Sequence, residues 1–343
     1  MLYVTTRDKK DVYTARHALS KDFADDGGAY VPFQNVRFTQ EEVDRLLHTN
    51  FGECVAEILN MFFAARLDGW DVDCCIGRYP VKLVPMSHRI VLAETWNNPQ
   101  WDLGRFVRNL SGRMLGTADT KGEPSIWTWI AVRIAVLFGL FGELSRLGMT
   151  DRSQKIDVAV AAGDFSAPMA VLYAKEMGLP IGHIIFCCNE NSGAWDLLHY
   201  GSIHTGTAKV DTGLPLSDHP VPSGLERLIL ERLGREEVLR FASVCDKKGV
   251  YELTQEQCDA LRQGLYGAVI SRKRMESVIR NVNRSAAYLM GPYSALAYGG
   301  LQDYRATNAE AGPALIFTEQ GPLCAKETVA AALGIDVQEL AGR

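Results

Sequence analysis

VAVAAGDFSAPMAVLYAKEMGLPIG, residues 158–182, decides how this chain folds. Its left half, VAVAA, is a short apolar run of the kind that a strand buried on both faces requires, and its right half carries apolar residues at helical spacing. Between them Gly163, Asp164, Phe165, Ser166, Ala167 and Pro168 form a tight turn. In α/β proteins such a turn holds an anion against a helix N-terminus. This one is poorly made for that: Asp164 brings a carboxylate, and Pro168 has no N–H to donate.

Outward from the turn, strands and helices alternate. After VAVAA come a helix over 169–177, the strand HIIFCC, a helix over 194–198 and a strand AKVDT over 208–212. Helices within 224–244, a strand ALIFT and a C-terminal helix over 326–333 follow. Alternation of this kind predicts an α/β fold with a mainly parallel, doubly wound sheet covered on both faces. The N-terminal part is of α+β type, with a strand at YVTTR, a helix over 40–47 and a second over 51–65. A long helix over 123–147 is expected to be buried. Its apolar run is interrupted by Thr128 and Arg133 and falls short of the ~20 residues a bilayer requires, so no membrane span is expected. The reading divides the chain into an N-terminal domain (1–90), a connecting region (91–124) and a large α/β domain (125–343).

Composition narrows the function classes. A formal net charge of −5 over 343 residues argues against nucleic acid as a partner. The opening MLYVTTRDKK has no apolar signal core, which makes the cytoplasm the default compartment. Eight cysteines without CxxC spacing are expected to be free thiols. Asp196, His199 and His204 have loose metal-like spacing, but nothing fixes them on one face, and no metal is expected.

Several segments, in register from end to end, resemble threonine synthase, a lyase of the tryptophan-synthase-β type that depends on pyridoxal phosphate (PLP). YVTTRD with DDGGAYVP is similar to that family's opening, and NFGECVAEIL to its N-terminal helical domain. GDFSAPMAVLYAKEMGLPI aligns on its GNFGN loop and the helix that follows. CCNEN resembles its TNEN strand end, TGLPLSDHPVPSGLERLI its TLSPxMDIxVxSNxERLL, GPYSALAYGG its PHTAVG and FTEQGPLCAKETV its ATAHPAKFPEAV. The resemblance implies the threonine-synthase type of sheet.

It also implies what has changed. The family's Schiff-base lysine lies in ELFHGPTxAFKD, and the matching segment from Glu94 to Arg105 places Gly104 there. No lysine occurs between Lys82 and Lys121, and Arg105 is no substitute because its guanidinium stays protonated. The ATSGDTG loop that grips substrate is missing, and TADTKGEP leads almost directly to a segment similar to SINWARL, so 91–124 reads as the remnant of a truncated small domain. At the GNFGN position Asp164 and Ser166 stand where Asn and Gly would meet the phosphate. A carboxylate there costs roughly 1–3 kcal/mol against a phosphate dianion.

The expectation is a threonine-synthase-like protein that works without PLP or any other cofactor, binding or transforming an amino acid or related acid in a specialised biosynthetic pathway. Asp164, Ser166 and Glu319 are the candidate acid–base residues. Asn97, Asn98, Trp101, Asp102, Arg105, Asn189, Thr318 and Gln320 are candidate ligand contacts, Thr318 because the resemblance matches it to the threonine facing the pyridine nitrogen. A non-catalytic pseudoenzyme that pairs with a pathway protein or with a second copy is the rival reading, and a PLP-dependent lyase the third. Asp164 has a plainer role open to it, capping the helix that follows.

Overall fold

The computed structural model describes residues 1–76, 81–87, 89–96, 102–116, 123–149, 154–205, 210–214 and 217–341. At its centre is a six-stranded sheet in the order Leu265–Val269, Ile181–Cys188, Ile156–Ala161, Ala314–Thr318, Ile90–Glu94 and Lys82–Ser87. The first five run parallel and the last pairs antiparallel to its neighbour. Because side chains alternate along a strand, each strand feeds two cores. Val158, Val160, Ile184, Phe186, Leu315 and Phe317 face one cluster, while Ala159, Ile185, Cys187 and Ile316 face the other. The helices Ile126–Arg146 and Ser166–Glu176 cover the first face, and Arg272–Ala286 and Pro292–Thr307 cover the second. This is the doubly wound sheet that the alternation predicts.

The Ile126–Arg146 helix starts where Ser125 Oγ accepts the N–H of Thr128 at 3.1 Å, and Asp22 accepts that of Ile126 at 2.7 Å. Apolar on all sides, it is enclosed: Ile130, Ile134, Leu137, Phe138 and Leu140 have no exposed surface. It has the length and hydropathy to cross a bilayer, yet 83% of its most apolar stretch is buried within the protein. What encloses it is the N-terminal region. Helix Gln40–His48, begun by a reciprocal Thr39–Glu42 capping box, and helix Phe51–Phe63, capped by Asn50, lie against it. A three-stranded antiparallel sheet of Tyr13–Thr14, Leu2–Thr5 and Tyr30–Pro32 completes this region.

Three details depart from the sequence reading. Strands Lys82–Ser87 and Ile90–Glu94 form an antiparallel pair on the edge of the central sheet, so a boundary at residue 90 cuts the pair. Residues Leu103–Leu115, within the segment read as a small-domain remnant and given no element there, form a helix with buried Phe106, Val107 and Leu110 and a left-handed Gly116 at its end. No strand forms over the described residues of AKVDT: Val210 to Thr212 are unpaired, and the strand there is Ser202–His204, paired with Val250–Glu252. Thr212 instead joins a side-chain network with Asn189 and Asp218, which holds it out of a ladder.

Candidate functional site

The strand Ile156–Ala161 ends below a turn in which Gly163 and Phe165 both have positive φ, +48° and +70°. Gly224 makes that bend possible from outside. It donates its N–H to the Asp164 carbonyl at 2.8 Å, and a side chain on it would come within 2.7 Å of the Phe165 backbone. The helix then begins at Ser166, where Asp164 Oδ1 accepts the Ser166 N–H at 3.0 Å and also its hydroxyl. Phe165, not Asp164, is thus the N-cap residue, and Asp164 caps the Ser166 N–H from one position earlier, in an Asx turn. Asp164 Oδ2 takes no hydrogen bond among the described residues.

Beside the turn stands Arg133, only 8% exposed on the most apolar helix of the chain. Its Nε and Nη2 donate to the two oxygens of Glu319, the second at 2.8 Å, and its Nη1 donates to Ser166 Oγ at 2.8 Å. Burial opposes its charge and the Glu319 carboxylate supports it, and the balance raises the guanidinium above its ordinary value. A continuous chain results: Glu319 to Arg133, Arg133 to Ser166 Oγ, and the Ser166 hydroxyl to Asp164.

This chain borders a cavity of about 330 Å³ at the C-terminal ends of the Ile156–Ala161 and Ala314–Thr318 strands, where open α/β sheets place ligands. Asp164, Ser166, Thr318, Glu319 and Gln320, all singled out in the sequence, line it. The buried Thr318 hydroxyl is 2.7 Å from that of Ser294, and the Thr318 carbonyl accepts from Thr95 at 2.8 Å. Others belong elsewhere. Asn189 is buried in its own network, donating to Thr212 Oγ1 at 3.2 Å and Asp218 Oδ1 at 2.6 Å, and does not line the cavity. Asp102 caps the Leu103–Leu115 helix by accepting the Arg105 N–H at 2.7 Å, and neither residue reaches the cavity wall. Asn97, Asn98 and Trp101 lie outside the described residues.

Sequence reasoning missed Arg133, Trp129, Ser217 and Tyr293, which also form the wall. For Arg133 a signal was present, since a lone cation inside an apolar helix must have a partner when buried. The Arg133 guanidinium carbon lies over the Trp129 ring, 5.1 Å from its centroid. Ser217, only 2% exposed, has no hydrogen-bond partner for its hydroxyl among the described residues.

The site fits PLP badly. No lysine is among the described residues that line it. Gly104 lies in the first turn of the Leu103–Leu115 helix, where an added side chain would meet Asp102 and Arg108. Of the first four N–H positions in the Ser166–Glu176 helix, that of Ser166 goes to Asp164 and that of Met169 to the Phe165 carbonyl. Pro168 has none, which leaves Ala167 alone to meet a phosphate, beside a carboxylate.

Comparison with known proteins agrees with this architecture. Residues 2–78 match the family model for the threonine synthase N terminus. Threonine synthase-like 1 of Homo sapiens is 22% identical over 186 residues, which cover 53% of this chain and 25% of that protein. Threonine synthase of Pseudomonas aeruginosa is 24% identical over 182 residues, covering 52% of this chain and 37% of its own length. The curated relatives are thus matched over a quarter to little more than a third of their length. Among solved structures, the PLP-bound threonine synthase of Brucella melitensis superposes with a TM-score of 0.82 at 19% identity, over 98% of this chain and 92% of that one. The yeast threonine synthase also gives 0.82, at 15% identity, over 97% and 90%. Residues 2–78 thus resemble the threonine synthase N terminus in sequence, and the chain as a whole carries the threonine synthase fold.

Proposed function

We propose that this protein binds and transforms a small amino-acid-like molecule in the cleft between the 163–166 turn and the 318–320 loop, and that it does so without PLP. The observation that supports the reading is the chain Glu319, Arg133, Ser166, Asp164 on the wall of a cavity whose described lining residues include no lysine. Asp164 is the proton acceptor, its Oδ2 open to a ligand. Ser166 holds that carboxylate in place, and Arg133, anchored by Glu319, holds Ser166. Glu319 thus acts as a positioning residue here, both its oxygens being engaged by Arg133. Thr318 and Gln320 offer ligand contacts on the opposite wall.

The test is direct. Purified protein given excess PLP is expected to show no internal-aldimine absorbance, and borohydride is expected to trap no adduct on any lysine. Gly104→Lys is expected to restore neither, because that position lies off the cavity wall. Stoichiometric PLP trapped on one lysine, together with lyase activity lost when that lysine is replaced, would overturn the reading.

A further inference from the structure

We infer that the cleft selects its ligand through a protonated amine, the reverse of the anionic end that the ancestral turn is built to hold. This rests on the proposed function above and specifies its ligand class. Among the described residues on the wall Arg133 is the one guanidinium, and each of its nitrogens already donates within the protein: Nε and Nη2 to Glu319, Nη1 to Ser166. The Nε–Nη2 fork, which would grip a carboxylate or phosphate, is thus occupied by Glu319. Arg227 lies fully buried behind the turn, where its charge acts on Asp164 and Asp22, but it is not on the wall.

Acceptors, by contrast, are open. Asp22, Asp164 and Glu319 put three carboxylates on the wall against that one guanidinium. Oδ2 of Asp164 takes no hydrogen bond among the described residues, since Oδ1 alone receives both groups of Ser166. Independently, the Ser217 hydroxyl is buried on the same wall without a partner. A buried hydroxyl left unsatisfied is costly, and a ligand N–H would relieve it. An ammonium group brings three donors and a positive charge to these acceptors. The turn and helix start would meet an anion with the N–H groups of Gly163, Asp164 and Ala167, but with the Asp164 carboxylate standing among them.

The experiment uses the full chain with methyl-labelled alanine, read by NMR at Ala161, Ala162 and Ala167 on the cavity wall. The probes are butylammonium, 1-butanol, butyrate and inorganic phosphate, each titrated to the same concentration. Butylammonium is expected to shift these methyls and the other three to leave them unmoved. Asp164→Asn keeps an acceptor for Ser166 and loses the charge, and is expected to weaken amine binding by about tenfold or more. Ser217→Ala, a separate variant whose melting temperature reports its folding, is expected to weaken it a few-fold. Butyrate or phosphate binding more tightly than butylammonium, butanol binding equally well, or amine binding indifferent to both variants would overturn the inference while leaving the cleft a ligand site. Silence from every probe would overturn both the inference and the proposed function.

Discussion

Separating Arg133 from Glu319 should cost more than removing both. Arg133 is 8% exposed and makes three side-chain hydrogen bonds, two to Glu319 and one to Ser166. Glu319→Leu leaves that guanidinium buried with Ser166 as its remaining partner, and stripping one member of a buried pair costs about 3–5 kcal/mol. The cavity beside Glu319 admits water, which puts this site at the lower end, about 3 kcal/mol. Arg133→Met leaves the Glu319 carboxylate facing the cavity, where water partly restores its solvation, for a loss of about 2 kcal/mol. When both are replaced by apolar groups of similar volume no unpaired charge is left, so the double variant should cost only about 1 kcal/mol. The double-mutant cycle then gives a coupling of about 4 kcal/mol, well beyond the few tenths expected of independent sites. Urea unfolding followed in parallel by far-ultraviolet circular dichroism and tryptophan fluorescence measures all four proteins and tests whether the transitions coincide. Additive single and double losses, to within about 0.5 kcal/mol, would refute the pairing and with it the positioning of Ser166.

Two further outcomes follow from other parts of the molecule. With the native protein at pH 8, a thiol reagent should modify the exposed Cys74 and Cys324 and leave the buried Cys187 and Cys188, whose thiols burial pushes up, untouched until urea is added. Early labelling of Cys187, counted by mass spectrometry, would contradict its place in the sheet. Burial raises the Glu237 carboxyl, but its bonds to Arg240 and Tyr251 lower it more, so its folded pKa lies below its unfolded value. Its contribution is therefore present above the unfolded value of about 4.3 and lost as pH falls through the folded one. Glu237→Gln should accordingly lose stability at neutral pH and converge on the native protein in acid, and a constant gap between the two unfolding curves from pH 7 to pH 3 would contradict this.

The elements legible in the sequence were those whose signals are local. ALIFT, buried throughout, matches the strand Ala314–Thr318, and the C-terminal helix matches Lys326–Leu333. The turn at 163–168 could be placed because a run buried on both faces gives way there to helical spacing. Less legible were segments whose role depends on partners far away in sequence. Lys82–Ser87 alternates only weakly and becomes a strand by pairing with Ile90–Glu94. Asn189 looked like a site residue because it follows a strand end, but Asp218, 29 positions on, draws it into a structural network. Arg133 signals a buried partner without saying which, and Ser217 signals nothing. Each acquires its place in the site only when the 126–146 helix and residues 217–219 are brought over the strand ends.

Asp164 illustrates why capping and function need not exclude each other. A carboxylate has two oxygens, and here the turn uses one: Oδ1 accepts both the Ser166 N–H and its hydroxyl. That double acceptance fixes the side-chain torsion, so Oδ2 points in a direction set by the fold rather than by the ligand, which is the condition for a preorganised proton acceptor. Arg133 adds to this by donating to Ser166 Oγ, which orients the hydroxyl toward Asp164. The Arg133–Glu319 pair therefore acts on Asp164 through Ser166 without touching a ligand. It follows that Asp164→Asn and Asp164→Ala differ in kind. Asparagine retains the turn's acceptor and deletes the charge, whereas alanine deletes both and should lose a further ~1 kcal/mol of stability for the two lost hydrogen bonds. If the two variants bound butylammonium equally weakly but differed in stability by that amount, the two oxygens would have been shown to do separate jobs. Equal stability would mean that the cap contributes nothing and that Oδ1 is as free as Oδ2.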